Sequence, residues 1–311
     1  MQHASPQGDP TAILGYRMAI TNPFTQLFLP AAVVVVMFAL GTTLTVRDLR
    51  RVLERPRGLI LGLVAHALLL PMLAFAVATF LGLPGPLAVG LVLIASCPAN
   101  ATANLFTHLA RGDTMLSVCL TAGASLTSVV AVPLFVNAAL RLFPSGLDAV
   151  ALPVVPAALG LLTVSTLPVL AGMRLRAVRP NAAQAVEARM AGLGLLVIIL
   201  VVLGAVWSER DRVPAALAQA GAPAVLLNAL SVSAAWGLGA LFRLSRAERV
   251  AVGLECGLQN FAMAAFVALT LMGDATLLLP AIAYGLTMWF SALVVVFLAR
   301  RSAPPPATIG P

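Results

Sequence analysis

The sequence predicts an all-α polytopic membrane protein with about nine transmembrane helices and inverted structural repeats. Three observations predict it. The 311 residues are 60% hydrophobic and only 10% charged, with mean hydropathy +1.01, whereas a soluble domain carries about 25% charged residues. The apolar residues fall into stretches long enough to cross the hydrocarbon core, which takes about 20 residues of helix. Two of these stretches are interrupted by polar residues, Ser96-Cys97-Pro98-Ala99-Asn100-Ala101-Thr102-Ala103-Asn104 and Glu255-Cys256-Gly257-Leu258-Gln259-Asn260.

The spans are expected in order at 24–44, 58–81, 86–109, 115–140, 149–173, 190–207, 223–242, 250–272 and 275–299. The loops between them are short and hold most of the charges. His66 falls in the middle of the second span. The third and eighth carry the interruptions. Ser117 and Thr121 are spaced i, i+4 and so share a face of the fourth. Residues 1–23 contain Pro6, Asp9, Pro10 and Pro23 and lack a basic start followed by an apolar run, so they do not resemble a cleaved signal peptide. They are expected outside the cytoplasm, and 300–311 form a cytoplasmic tail. Arginine sorting gives this orientation. Loops on one side hold 15 arginines, beginning with Arg47, Arg50, Arg51, Arg55 and Arg57. The other side holds the 4 residues Arg17, Arg141, Arg210 and Arg212. The expected location is the plasma or inner membrane.

The two interruptions lie about 160 residues apart, and neighbouring spans keep that offset. This divides the transporter domain, 24–299, into repeat one (24–140), a linking helix (149–173) and repeat two (190–299). The orientation inverts one repeat relative to the other. Inverted repeats with broken helices in corresponding places point to a secondary transporter.

Several function classes are excluded. The net charge of +8 comes from 19 basic residues, all arginine. They sit at helix ends with no basic, aromatic-rich stretch, so nucleic acid is not a partner. Cys97, Cys119 and Cys256 show no paired or metal-ligand spacing, which excludes a disulfide framework and a transition-metal site. An intramembrane enzyme lacks its groups: there is no HExxH, and Glu255 has no acidic partner at depth.

The interruptions have a chemistry of their own. Pro98 removes a backbone donor, and Gly257 eases departure from helical geometry. Unwound backbone is tolerated at membrane depth only inside protein or beside water. Its carbonyls, with Asn and Glu oxygens, form a set suited to a small hard cation. Half-helix N-termini suit an anionic group. Glu255 is the only acidic residue deep in a span, where a charge costs about 2.5–3.5 kcal/mol on insertion scales. Structural alternatives stay open at this point. Asn100 and Asn104 can bond between helices, Ser117 and Thr121 can bond back to helix carbonyls, Glu255 can be a protonated acid, and His66 a packed neutral imidazole.

At these residues the chain resembles the bile acid:sodium symporter family. The resemblance runs from about Val36 to Ala299. It is carried by Gly41-Thr42-Thr43-Leu44-Thr45, Gly90-Leu91-Val92-Leu93, Cys97-Pro98, Thr102-Ala103-Asn104, Leu109-Ala110-Arg111-Gly112-Asp113, Leu116-Ser117-Val118 and the stretch Gly253 to Asn260. It implies a core domain, with two broken helices that cross, and a panel domain. It implies Na+ as the coupling ion, held at a first site by Asn104, Ser117, Thr121 and Glu255. The second site would use Gln259 with carbonyls at Glu255, Cys256 and Leu258. His66 takes the place of that site's glutamine, and imidazole is a poor sodium ligand. Thr102, Asn100, Asn260, Met288 and Trp289 would face a small organic anion, bile-acid-like or a smaller carboxylate. Other readings are a proton-coupled or single-sodium carrier using His66, arsenite-type efflux, and a membrane sensor that transports nothing. Sodium, an organic anion and membrane lipid are the expected partners, and no further cofactor is implied.

Overall fold

The computed structural model describes residues 27–45, 56–143, 152–186 and 213–301, and isolated positions at 50, 52, 54, 189, 196 and 203. The N-terminal segment 1–23, nearly all of the expected span 190–207 and the tail from 302 lie outside the described residues. All regular structure among the described residues is helical. α1 is Leu29–Thr43 and α2 is Arg57–Phe80, with a π turn at Ala65–Leu69. α3 (Gly85–Ser96) and α4 (Thr102–Leu109) are the halves of one broken span. α5 is Thr114–Leu142, and α6 is Val154–Val178 with a π turn at Leu162–Thr166. α7 is Val213–Leu241. α8 (Arg246–Gly257) and α9 (Phe261–Leu271) are the halves of the second broken span. α10, Leu279–Arg301, follows a 3₁₀ turn at Ala275–Leu278.

Local chemistry explains the boundaries. Asp113 caps α5 by accepting from the Leu116 N–H at 2.9 Å. Ser245 and Glu248 form a reciprocal capping box that starts α8. Cys97, held extended before Pro98, ends α3. Asn260 starts α9 by accepting from the Met263 N–H at 3.1 Å. The expected span 223–242 corresponds to α7, which begins earlier, at Val213, with Pro223 inside the helix. Membrane helices tolerate interior proline because neighbouring groups satisfy the freed carbonyl, so Pro223 is not a start signal. α6 likewise runs on past the expected limit at 173. It carries Arg174, which is exposed, and Arg176, which is partly buried in the last turn.

Among the described residues five helices are long and apolar enough to cross a membrane, and α1, α3 and α9 are shorter apolar helices. Their outer faces are those of lipid-contacting helices. Leu126, Val130 and Leu134 on α5, and Leu286, Phe290, Leu293 and Phe297 on α10, are exposed at helical spacing. The inner faces bury leucine, valine and alanine in one core. Without a hydrophobic drive between helices in lipid, close approach rests on small residues. Gly41 of α1 abuts the Val169 carbonyl of α6, and Gly172 of α6 abuts the Phe38 carbonyl of α1.

The arginine-bearing turns meet at one end of the bundle. Arg300 Nε donates to the Leu109 carbonyl at 2.8 Å. The Asp113 N–H donates to the Ala247 carbonyl at 2.9 Å. Gly58 lies against Leu116 and the Glu248 carboxylate. Arg57, Arg111, Arg246, Arg300 and Arg301 therefore share that end, while Arg141 sits at the far end of α5.

Candidate functional site

The two interruptions meet. Ala99 and Gln259 form an isolated antiparallel bridge. Its two rungs are the Asn100 N–H to the Leu258 carbonyl and the Asn260 N–H to the Pro98 carbonyl, both 2.8 Å. Backbone that left helical geometry on one chain segment is thus satisfied by the other, as membrane depth requires. The remaining loose carbonyl, Gly257, accepts from Asn228 Nδ2 at 2.8 Å and from Tyr284 Oη at 3.1 Å. Asn100 accepts from the Thr102 N–H at 3.1 Å in the turn that leads into α4, whereas Asn260 is the side-chain cap of α9.

Beside the crossing lies a cluster of side-chain oxygens. Ser117 Oγ is 2.8 Å from Glu255 Oε1 and 2.9 Å from Asn104 Oδ1. Thr121 Oγ1 is 2.6 Å from the same Glu255 oxygen and 3.3 Å from the same Asn104 oxygen. Thr107 Oγ1 donates to Ser117 Oγ at 3.2 Å. Each hydroxyl has one proton, so Ser117 and Thr121 cannot serve both acceptors at once. Glu255 is buried, and its Oε2 has no partner. With Glu255 ionised, this buried oxygen set has more acceptors than protons, and oxygens of this kind are the donor type that suits a hard cation.

The four residues assigned to the first ion site are brought together. The second group is more dispersed in role. Gln259 Nε2 donates to the Cys256 carbonyl at 3.1 Å, and the Leu258 carbonyl is engaged in the crossing. His66 lies in the π turn of α2 against Gln259. Its Nε2 and the Gln259 Oε1 are both buried without a hydrogen-bond partner. Of the residues assigned to substrate, Thr102 has a buried hydroxyl with no partner. Met288 is buried, and Trp289 packs against Phe106 of α4 with ring centroids 5.8 Å apart.

The sodium bile acid symporter family is matched over residues 30–213. The chain belongs to that family. It is an integral membrane transporter, not a member of an enzyme family. The symporter-family chain is 28% identical over 264 residues to an uncharacterized sodium-dependent transporter, YocS, of Bacillus subtilis, covering 83% of this chain and 78% of the relative. It is 28% identical to a probable chloroplastic sodium/metabolite cotransporter, BASS2, of rice, covering 73% of this chain and 53% of the relative. It is 34% identical over 113 residues to human sodium/bile acid cotransporter 4, covering 36% of this chain and 26% of the relative. The chain therefore spans about half the length of the rice relative and less of the human one.

Three residues of the symporter-family site escaped the sequence reading. Thr107 sits one turn after Asn104, and i, i+3 spacing on α4 was the available signal. Asn228 is an amide inside an apolar span, a recognised mark of interhelical bonding. Tyr284 gave no signal beyond being a tyrosine within an apolar helix.

Proposed function

We propose that the chain carries an amphipathic organic anion into the cell by sodium-coupled symport with alternating access. The observation that carries this reading is the proton-poor oxygen cluster of Asn104, Ser117, Thr121 and Glu255. A sodium ion there would meet four oxygens and neutralise the buried Glu255 carboxylate. The crossing supports the substrate half of the reading. α4 and α9 both begin at it, and their N-terminal partial positive charge favours an anion. Thr102, Asn100, Asn260, Met288 and Trp289 surround that position in the proposal. Sodium at the cluster would fix α4 against α5 and α8 and so complete the anion site. The antiparallel pairing of Pro98–Asn100 with Leu258–Asn260 fits a pseudo-two-fold relation between repeats 24–140 and 190–299. The arginine-rich end is assigned to the cytoplasm, with the N-terminus outside.

The test is uptake of labelled organic anions into proteoliposomes under an inward sodium gradient, against choline. Sodium-dependent uptake lost in Glu255→Ala is expected; unchanged uptake in that variant removes the assignment.

A second reading couples one sodium and one proton. It is favoured by the buried His66 imidazole set against the Gln259 side chain. One charge moved through 100 mV is worth about 2.3 kcal/mol, so stoichiometry decides between them. Uptake driven by a pH gradient with equal sodium on both sides selects the second.

A further inference from the structure

A groove runs down the outer surface between α7 and α10 near the arginine-rich end. Val232 and Trp236 of α7 form one wall, and Val295 and Leu298 of α10 form the other. Arg246, at the start of α8, closes its end, and the cavity holds about 330 Å³. The surrounding surface is that of the lipid face: Leu230 and Leu241 on α7, and Val294 and Phe297 on α10, are exposed. The groove opens at the outer surface through Ser233 and Leu298, which are exposed, while Val232 and Trp236 lean inward against Gly253 and Gly257 of α8.

We infer that this groove seats one anionic phospholipid, with an acyl chain between α7 and α10 and the headgroup phosphate at Arg246. Two independent features match such a ligand. The walls are aliphatic and indole carbon apart from the exposed Ser233 hydroxyl, which suits a chain better than a free anion. The closed end is cationic. Arg246 Nη2 donates to the Ala299 carbonyl, which holds the guanidinium across the groove mouth. Arg249 stacks over the Trp236 ring at 5.6 Å, so the wall and the charge are tied together. Arg243, Arg300 and Arg301 stand at the same end. The nearby acid, Glu248, faces elsewhere: one carboxylate oxygen accepts from the Ser245 N–H at 2.7 Å and the other lies against Gly58. Trp236 sits where indoles prefer to sit, between chain and headgroup. Basic pockets between membrane helices recognise phosphate headgroups through charge-assisted bonds. A neutral lipid satisfies the walls alone and a free phosphate satisfies the arginine alone.

The test uses the full chain purified in detergent and then incubated with phosphatidylglycerol, phosphatidylcholine or inorganic phosphate. Bound lipid is counted by native mass spectrometry and thermal unfolding is recorded. One phosphatidylglycerol is expected to be retained about fivefold more than phosphatidylcholine, the ratio one well-placed basic residue supplies near an anionic surface. That preference should vanish in Arg246→Gln, while Val295→Trp, which fills the groove without touching charge, should expel both lipids. Arg301→Gln, outside the groove, should retain the preference. Equal retention of the two lipids overturns the inference, as does a phosphate-induced shift equal to that of the lipid. Loss of the preference in Arg301→Gln as well overturns it by making the effect one of general charge. If Arg246→Gln does not fold, Val295→Trp decides: native-like phosphatidylglycerol retention there overturns the site.

Discussion

Replacing Glu255 by glutamine isolates the charge of the candidate ion site while keeping its shape. The amide still offers an oxygen where Oε1 now accepts at 2.6 and 2.8 Å from Thr121 and Ser117, and those hydroxyls can turn to accept from the new amide N–H. What disappears is the attraction between a cation and a buried carboxylate. At a separation of about 3 Å and an effective dielectric constant near 20, that attraction is about 5.5 kcal/mol. If half survives the cost of drying the ion, sodium affinity falls by about 2.7 kcal/mol, roughly a hundredfold. The assay is thermal unfolding of the purified chain in sodium against choline. A ligand at a hundred times its dissociation constant stabilises by about 2.7 kcal/mol, and at one dissociation constant by about 0.4 kcal/mol. The sodium-induced rise expected in the native chain should therefore nearly vanish in Glu255→Gln and return only at far higher sodium. The same sodium midpoint in both proteins refutes the placement of the ion.

Further outcomes are expected from neighbouring positions. Asn104→Ala and Thr121→Val should each weaken sodium stabilisation about tenfold or more, and each combined with Glu255→Gln should cost less than the sum, because all share one cluster; additive losses in sodium titrations refute a shared site. Tyr284→Phe should destabilise by about 0.5–1.5 kcal/mol and Asn228→Ala by more, with the double variant leaving the Gly257 carbonyl buried and bare; thermal unfolding measures the order. Gly41→Ala would drive a Cβ into the Val169 backbone carbonyl and should lower stability by about 1–3 kcal/mol, whereas Gly221→Ala, with open space around it, should be neutral or stabilising by up to about 1 kcal/mol. Equal melting shifts in those two variants refute the α1–α6 contact.

Much of this architecture could be read from composition and periodicity. The polar breaks stood out because apolar spans have no cheap place for Glu255, Asn104 or Asn260, and i, i+4 spacing put Ser117 and Thr121 on one face. The pairing of the two breaks was a consequence of their offset and of the family resemblance, not of any local signal. What stayed hidden depends on tertiary geometry. The Gly257, Cys256 and Leu258 carbonyls have different partners, and nothing in their side chains reports which carbonyl faces Asn228, Gln259 or Asn100. Thr107 was indistinguishable from hydroxyls that bond to their own helix, as Ser125 does to the Thr121 carbonyl at 2.9 Å. The start of α7 was misplaced because Pro223 reads as a boundary in isolation, while packing inside a bundle accommodates it.

The crossing also constrains how the protein is made. Ser117 and Glu255 are 138 positions apart, and both rungs of the bridge join segments from opposite halves of the chain. Contacts so distant in sequence form only after the intervening chain has been ordered. During synthesis the first half must wait in the bilayer with Ser117, Thr121 and the Asn100 N–H lacking their later partners. α8 must enter carrying Glu255 before the serine and threonine can reach it. Neither half alone can assemble the oxygen cluster, so an ion held there rewards only the finished chain. Sodium would then act as a late quality check on biogenesis: a nascent protein truncated before α8 has the Asn104, Ser117 and Thr121 oxygens but lacks the Glu255 carboxylate to neutralise the ion.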